Sequence, residues 1–232
     1  MPQGTAPRGG SAPRGRTGRP PVTSRAQILA AARRLIDRDG WERLTIRRLA
    51  AELGVGATTL YHHVRDREDL LVQLINDIAD QTPFPELPSA PRDRIVVAAA
   101  AIHDGLAAHR WATEIIATDG FLDRLGESAL RMVETIVAGA IDCGCTPDQA
   151  VDVFRGVWYY TVGEIVVRAN SDQPQDETAR SADRDVFFSN LDASQHPHLA
   201  AIGDRWPALA ARDTYLQGLR AFVDGLLPRA GQ

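Results

Sequence analysis

Between Ser24 and Val64 apolar residues recur at helical spacing in three short blocks separated by glycines. Blocks this short cannot form one long helix or a strand, and they must bury their apolar faces against one another. In the first block Ile28, Ala32, Leu35 and Ile36 fall at i, i+4, i+7 and i+8. Ser24 and Gln27 have the spacing of a capping box, and Gly40 supplies the stop. The second block, Ile46, Leu49, Ala50 and Leu53, begins after Thr45, a good N-cap, and ends at Gly54. After Gly54-Val55-Gly56, a third segment over 57–64 buries Leu60 and Val64 and leaves Thr58, Thr59, Tyr61, His62 and His63 largely outside. Two short helices joined by a turn of about three residues are the spacing of a helix-turn-helix, whose second helix fits the DNA major groove.

Charge supports an anionic partner for this part of the chain. The net charge of -4 is a sum of opposites: residues 1–67 hold 13 basic and 5 acidic residues (net +8), and residues 68–232 hold 13 and 25 (net -12). Thr and Tyr hydroxyls and His nitrogens on the exposed face of 57–63 suit phosphates or base edges. Arg47 and Arg48, early in the preceding helix, add a base-edge and a phosphate contact. Residues 1–22, mostly Gly, Pro, Arg, Ser and Thr, form an arm expected to be disordered in isolation. In it Arg14-Gly15-Arg16 and Gly18-Arg19-Pro20 have the form of minor-groove hooks, with a solvated leader as the alternative. All 26 basic residues are Arg, including those in acidic surroundings, so the bias carries no functional weight.

Other classes are disfavoured. The N-terminus lacks the apolar run of a secretory signal, and the longest apolar run, 95–102, is less than half the ~20 residues a bilayer span requires. Cys143 and Cys145 are too few for a disulfide-stapled fold or a zinc site, and a reducing cytoplasm fits. His196-Pro197-His198 reads as a loop surface rather than a metal site. With no G-x-S-x-G, H-E-x-x-H, Walker or E-x-x-H pattern, neither a catalytic site nor a cofactor is expected.

Asp66 and Asp69 cap a fourth helix ended by Pro83, Pro85 and Pro88. Further helices are predicted near 92–109, 111–118, 121–142, 148–169, 197–209 and 212–227. A polar loop spans 170–198, interrupted by Val186-Phe187-Phe188. No strand is evident, so the fold is expected to be all-α: the arm (1–22), a three-helix DNA-binding unit (23–66) and a larger helical domain (67–232).

Residues 25–75 resemble the DNA-binding region of TetR-family transcriptional repressors. The likeness rests on Gly40-Trp41, Leu44-Thr45-Ile46, Leu49-Ala50-Ala51-Glu52-Leu53-Gly54-Val55, Thr59-Leu60-Tyr61-His62-His63-Val64 and Asp66-Arg67-Glu68-Asp69-Leu70-Leu71. The resemblance implies phosphate contacts from Thr45, Thr59, Tyr61 and Arg67, the last at a position usually held by Lys. It implies base reading by Arg47, Ala57, Thr58 and His62, although Ala57 offers only a methyl. Packing of helix three on helix four is the competing role for Tyr61 and His63.

The same resemblance implies a ligand-responsive repressor that binds a palindromic operator as a homodimer and leaves it when a small apolar or aromatic effector binds. Trp111, Phe121, Phe154, Trp158 and Tyr159, with Ile115 and Met132, are the expected pocket residues, and His103 is the polar one. For each, ordinary core is the competing role. The helices near 148–169 and 212–227 would form a four-helix dimer interface, with Gly156 and Gly163 letting backbones approach and Leu216, Leu219, Phe222, Val223 and Leu226 supplying apolar area. A DNA-binding regulator without a small-molecule ligand is the alternative.

Overall fold

The computed structural model describes residues 23–116, 122–171 and 190–228. The arm, Phe121 and most of the polar loop, with Val186-Phe187-Phe188, lie outside the described residues. The chain runs through helices α1 (Arg25–Asp39), α2 (Ile46–Leu53), α3 (Ala57–Leu60), α4 (Arg67–Gln81), α5 (Pro91–Ala107), α6 (Arg110–Ile116), α7 (Glu127–Asp142), α8 (Pro147–Ser171), α9 (Pro197–Ile202), α10 (Trp206–Ala210) and α11 (Tyr215–Leu226), with no strand among the described residues.

The caps are those the sequence predicts. Ser24 Oγ accepts from Gln27 N at 3.2 Å while Gln27 Oε1 accepts from Ser24 N at 2.9 Å. Thr45 caps α2 through Arg48 N, and Asp66 caps α4 through Asp69 N. Gly54 turns out of α2 at φ 66°, a left-handed backbone that costs a side-chain-bearing residue energy.

Three expected helices are shorter or broken. The third is α-helical only over Ala57–Leu60. His62 N and His63 N then return to Thr59 O and Leu60 O, three residues back, which tightens the last turn before Val64 N closes on Leu60 O. The span 121–142 starts at Glu127, because Leu122–Arg124 is a single 3-10 turn and Gly126 is the N-cap. The span 197–209 divides where Gly203 takes φ 53°.

Buried side chains form two clusters. The first joins α1 to α4 and takes in Leu106 of α5, Trp111, Ala112 and Ile115 of α6 and Ile165 of α8, so the reading head shares its core with the body. The second lies among α5, α7, α8 and α11 and includes Ile95, Val96, Ile136, Val153, Val157, Leu219 and Val223. Ile102 of α5 packs against both. Gly139 sets the approach of α7 to α5: a Cβ there would stand 2.7 Å from Ile95 Cγ1 and 3.0 Å from Pro91 O. Gly139→Ala should therefore lower unfolding stability by about 1–3 kcal/mol in urea titration, despite the better helix propensity of alanine.

Gly156, expected at a dimer interface, packs within the chain. A Cβ there would meet Leu226 Cδ1 at 3.0 Å and Phe222 Cε1 at 3.3 Å, so this glycine admits α11 against α8. Leu219 and Val223 are likewise fully buried inside the protomer. Gly163 faces open space and keeps the outward position, and Val167, Leu216 and Phe222 are exposed as well.

Candidate nucleic-acid interface

The turn of Gly54-Val55-Gly56 carries α3 across α2, and fully buried Leu60 and Leu49 hold the two together. The opposite face exposes Thr58, His62 and Arg47, and leaves Tyr61 57% exposed. Arg47 makes no hydrogen bond or ion pair among the described residues, so its five donors face solvent uncommitted. Tyr61 is too exposed to serve as packing for α4. Half-buried His63 does engage α4, since its carbonyl accepts from Gln73 Nε2 at 3.1 Å. Ala57 is half-buried against the head core, and Thr59 is half-buried beside it.

Two arginines expected at phosphate are engaged internally. Arg48 pairs with Asp39 and donates to Arg43 O at 3.0 Å. Arg67 donates from Nε to Leu44 O and from Nη2 to Trp41 O, both at 2.8 Å, with its guanidinium 5.2 Å from the Trp41 ring centroid. Two part-buried carbonyls thus depend on Arg67. Arg67→Ala should cost about 1–3 kcal/mol of stability and lower the melting temperature. A residue that served phosphate alone would leave the melting temperature unchanged and only flatten the salt dependence of DNA binding.

The expected pocket residues divide. Trp111, Ile115 and Met132 are buried, and Phe154 and Trp158 are half-buried, Trp158 against the first cluster and Phe154 against the second. Tyr159 does not join them. It is 61% exposed on the outer face of α8, where Arg155 lies 5.7 Å from its ring centroid and Arg155 Nη2 donates to its hydroxyl at 3.1 Å. One helical step of 100° separates it from the inward Trp158, so a run of three aromatics cannot all face the core.

His103, on the inner side of α5, stacks on Tyr215 of α11 with centroids 3.9 Å apart, and its Nε2 lies within hydrogen-bond distance of Glu164 Oε2, at 2.8 Å. Glu164 also accepts from Arg168 at 2.5 Å. The Tyr215 hydroxyl bonds Thr161 at 2.9 Å and donates to Ala99 O at 3.3 Å, and burial pushes its pKa well above that of a free phenol. Glu164 was legible as the one carboxylate in Val162-Gly163-Glu164-Ile165-Val166-Val167, although the sequence reading passed it over.

Thr113 had no such signal. It is 1% exposed on α6, and its hydroxyl has no hydrogen-bond partner. On the other side of α4, Asn76 donates from Nδ2 to Arg124 O at 3.1 Å and accepts from Gly126 N at 2.8 Å, while Glu68 meets Arg124 at 2.5 Å. The segment leading into α7 is thereby tied to the helix that follows the reading head. Among the described residues no His, Cys, Asp and Glu cluster could hold a metal ion, and no helix is long and apolar enough to cross a membrane.

Residues 28–74 match the family profile described as bacterial regulatory proteins, tetR family, and residues 84–229 match that of the tetracyclin repressor-like C-terminal domain. An HTH-type transcriptional regulator of Saccharopolyspora erythraea is 28% identical over 219 residues, covering 91% of this chain and 87% of its own. The class A tetracycline repressor protein from transposon 1721 of Escherichia coli is 25% identical, covering 87% and 89%. Among solved structures, ActR of Streptomyces coelicolor in complex with actinorhodin superposes with a TM-score of 0.72 at 21% identity, covering 90% of this chain and 99% of that one.

Proposed function

This chain belongs to the TetR family of bacterial regulatory proteins, a DNA-binding transcriptional regulator, and from that premise we propose that it is a repressor that binds a palindromic operator as a homodimer and is released by a small apolar or aromatic effector. The observation that carries the reading is the exposed and internally unengaged surface of Arg47, Thr58, Tyr61 and His62 on and beside α3. Side chains that do no structural work, set on a rigid helix pair, are available for base edges and phosphates. Thr45, Thr59, His63 and Ala57 flank that surface. Two such surfaces must reach half-sites about one helical turn apart, which requires a dimer. Exposed Tyr159, Gly163 and Val167 of α8, with Leu216 and Phe222 of α11, supply an apolar face for the second copy. The arm, through Arg14, Arg16 and Arg19, would add minor-groove contacts.

For the effector, the seam between the two cores is favoured. The buried surfaces of Trp111, Ile115 and Met132 and the half-buried rings of Phe154 and Trp158 suit an apolar body, while His103 and the unsatisfied hydroxyl of Thr113 offer polar anchors. A ligand bonded to Thr113 would satisfy a group that otherwise stays buried without a partner. Through the clamp of Asn76 and Glu68 it would bias α4, and with it the spacing of the two heads. Footprinting on DNA flanking the gene tests the operator, and a protected palindrome is the expected result. A thermal-shift screen of metabolites and antibiotics tests the effector, because a ligand of the folded state raises the melting temperature. For any hit, Thr113→Val should weaken binding by about five- to tenfold while leaving the melting temperature unchanged or higher.

A further inference from the structure

At the junction of reading head and body lies an open cleft of about 370 Å³. The head contributes Ile36, Asp37, Gly40, Trp41 and Glu42, and the body contributes 108–111 and Glu114. The cleft shares Trp111 with the proposed effector seam but otherwise has its own lining, which does not include Arg67. Its chemistry is specific. Trp41 and Trp111 bring two indoles to the walls, and the His109 ring lies 6.2 Å from that of Trp111, tilted by 55°. Three carboxylates line it against one guanidinium, that of Arg110. Asp37 and Glu42 have no ion-pair partner among the described residues, whereas Asp39 and Glu52, elsewhere on the head, are paired with arginines. Glu114 accepts the Trp41 Nε1 hydrogen bond at 2.6 Å, a neutral donor, and the bond turns the Trp41 ring toward the body. Burial, with the nearby Arg33 charge, lowers the pKa of His109, so this wall is neutral at physiological pH.

We infer that this cleft is a second small-molecule site, for a planar aromatic cation. The indoles attract the cation through their quadrupoles, the carboxylates neutralise it, and the volume admits a bicyclic ring. Because one wall belongs to the head and the other to the body, an occupant joins the two. It therefore changes operator affinity to the extent that it binds the two head positions unequally.

The test uses the full-length protein and the N-methylquinolinium cation, with quinoline, its uncharged counterpart at neutral pH, as the comparison. Titration followed by calorimetry and by the indole N–H resonances should show saturable binding of the cation that shifts Trp41 and Trp111 and leaves Trp206 in place. Quinoline should bind about tenfold or more weakly. Glu114→Gln, which retains an acceptor for Trp41, should weaken the cation about fivefold to tenfold, and Ala108→Trp, which fills the cleft from an exposed position, should abolish the shifts. Both variants should melt as the parent does. The assignment is overturned if the cation does not bind, if it shifts Trp158 in place of Trp41 and Trp111, if quinoline binds equally well, or if both well-folded variants bind with parental affinity.

Discussion

Arg47→Ala is expected to lower operator affinity by about thirtyfold or more with no change in melting temperature. Arg47 is exposed and unengaged within the chain, so its removal leaves no buried partner unsatisfied. A bidentate arginine contact to a base edge contributes about 1–3 kcal/mol, and a dimer makes it twice, which gives about 2–6 kcal/mol for the complex. Every 1.4 kcal/mol is about tenfold in affinity. Arg48→Ala is the internal comparison: with Asp39 and Arg43 O already holding Arg48, the DNA loses less and the protein loses more. Fluorescence anisotropy on an operator duplex at fixed salt would read both effects, with thermal melting alongside. An Arg47→Ala protein that binds with parental affinity would remove Arg47 from the interface.

Leu60→Ala should act through stability alone. Leu60 is fully buried where α3 meets α1, α2 and α4, and truncating such a leucine costs about 2–5 kcal/mol. In a chain of this length the melting temperature should fall by about 4–20 °C. Operator binding would be lost as the head loosens. Thr58→Ala, two residues away but exposed, should weaken DNA binding without moving the melt. If Leu60→Ala melted like the parent, α3 would not be anchored as the structure shows.

Much of this protein was readable from the chain. The caps Ser24, Thr45 and Asp66 and the stop at Gly54 are local devices that depend on residues within a few positions, so their positions in the sequence and in the structure agree. The DNA-facing side of α3 was legible for the same reason, since helical periodicity separates Leu60 from Thr58 and His62. The inward commitment of Arg67 was not. Its partners, Leu44 O and Trp41 O, lie 23 and 26 residues away, and nothing near Arg67 signals them. The sequence placed both Trp158 and Tyr159 among the expected pocket residues, and only the packing of α8 could separate outward Tyr159 from inward Trp158.

Gly156 and Thr113 mark the same boundary from the other side. A glycine in a helix signals a close approach but not the partner, and here α11 of the same chain occupies it. A threonine among apolar residues gives no sign that its hydroxyl will end up buried and unpaired. The sequence by itself determined the all-helical class, the helix-turn-helix and the family, because capping, periodicity and turn chemistry act over a few residues. The shared core of head and body, the braces on Arg48 and Arg67 and the cleft between Trp41 and Trp111 were decided only by the tertiary structure. Each depends on which distant backbone or side chain fills the space opposite, and that is a property of packing rather than of any local segment.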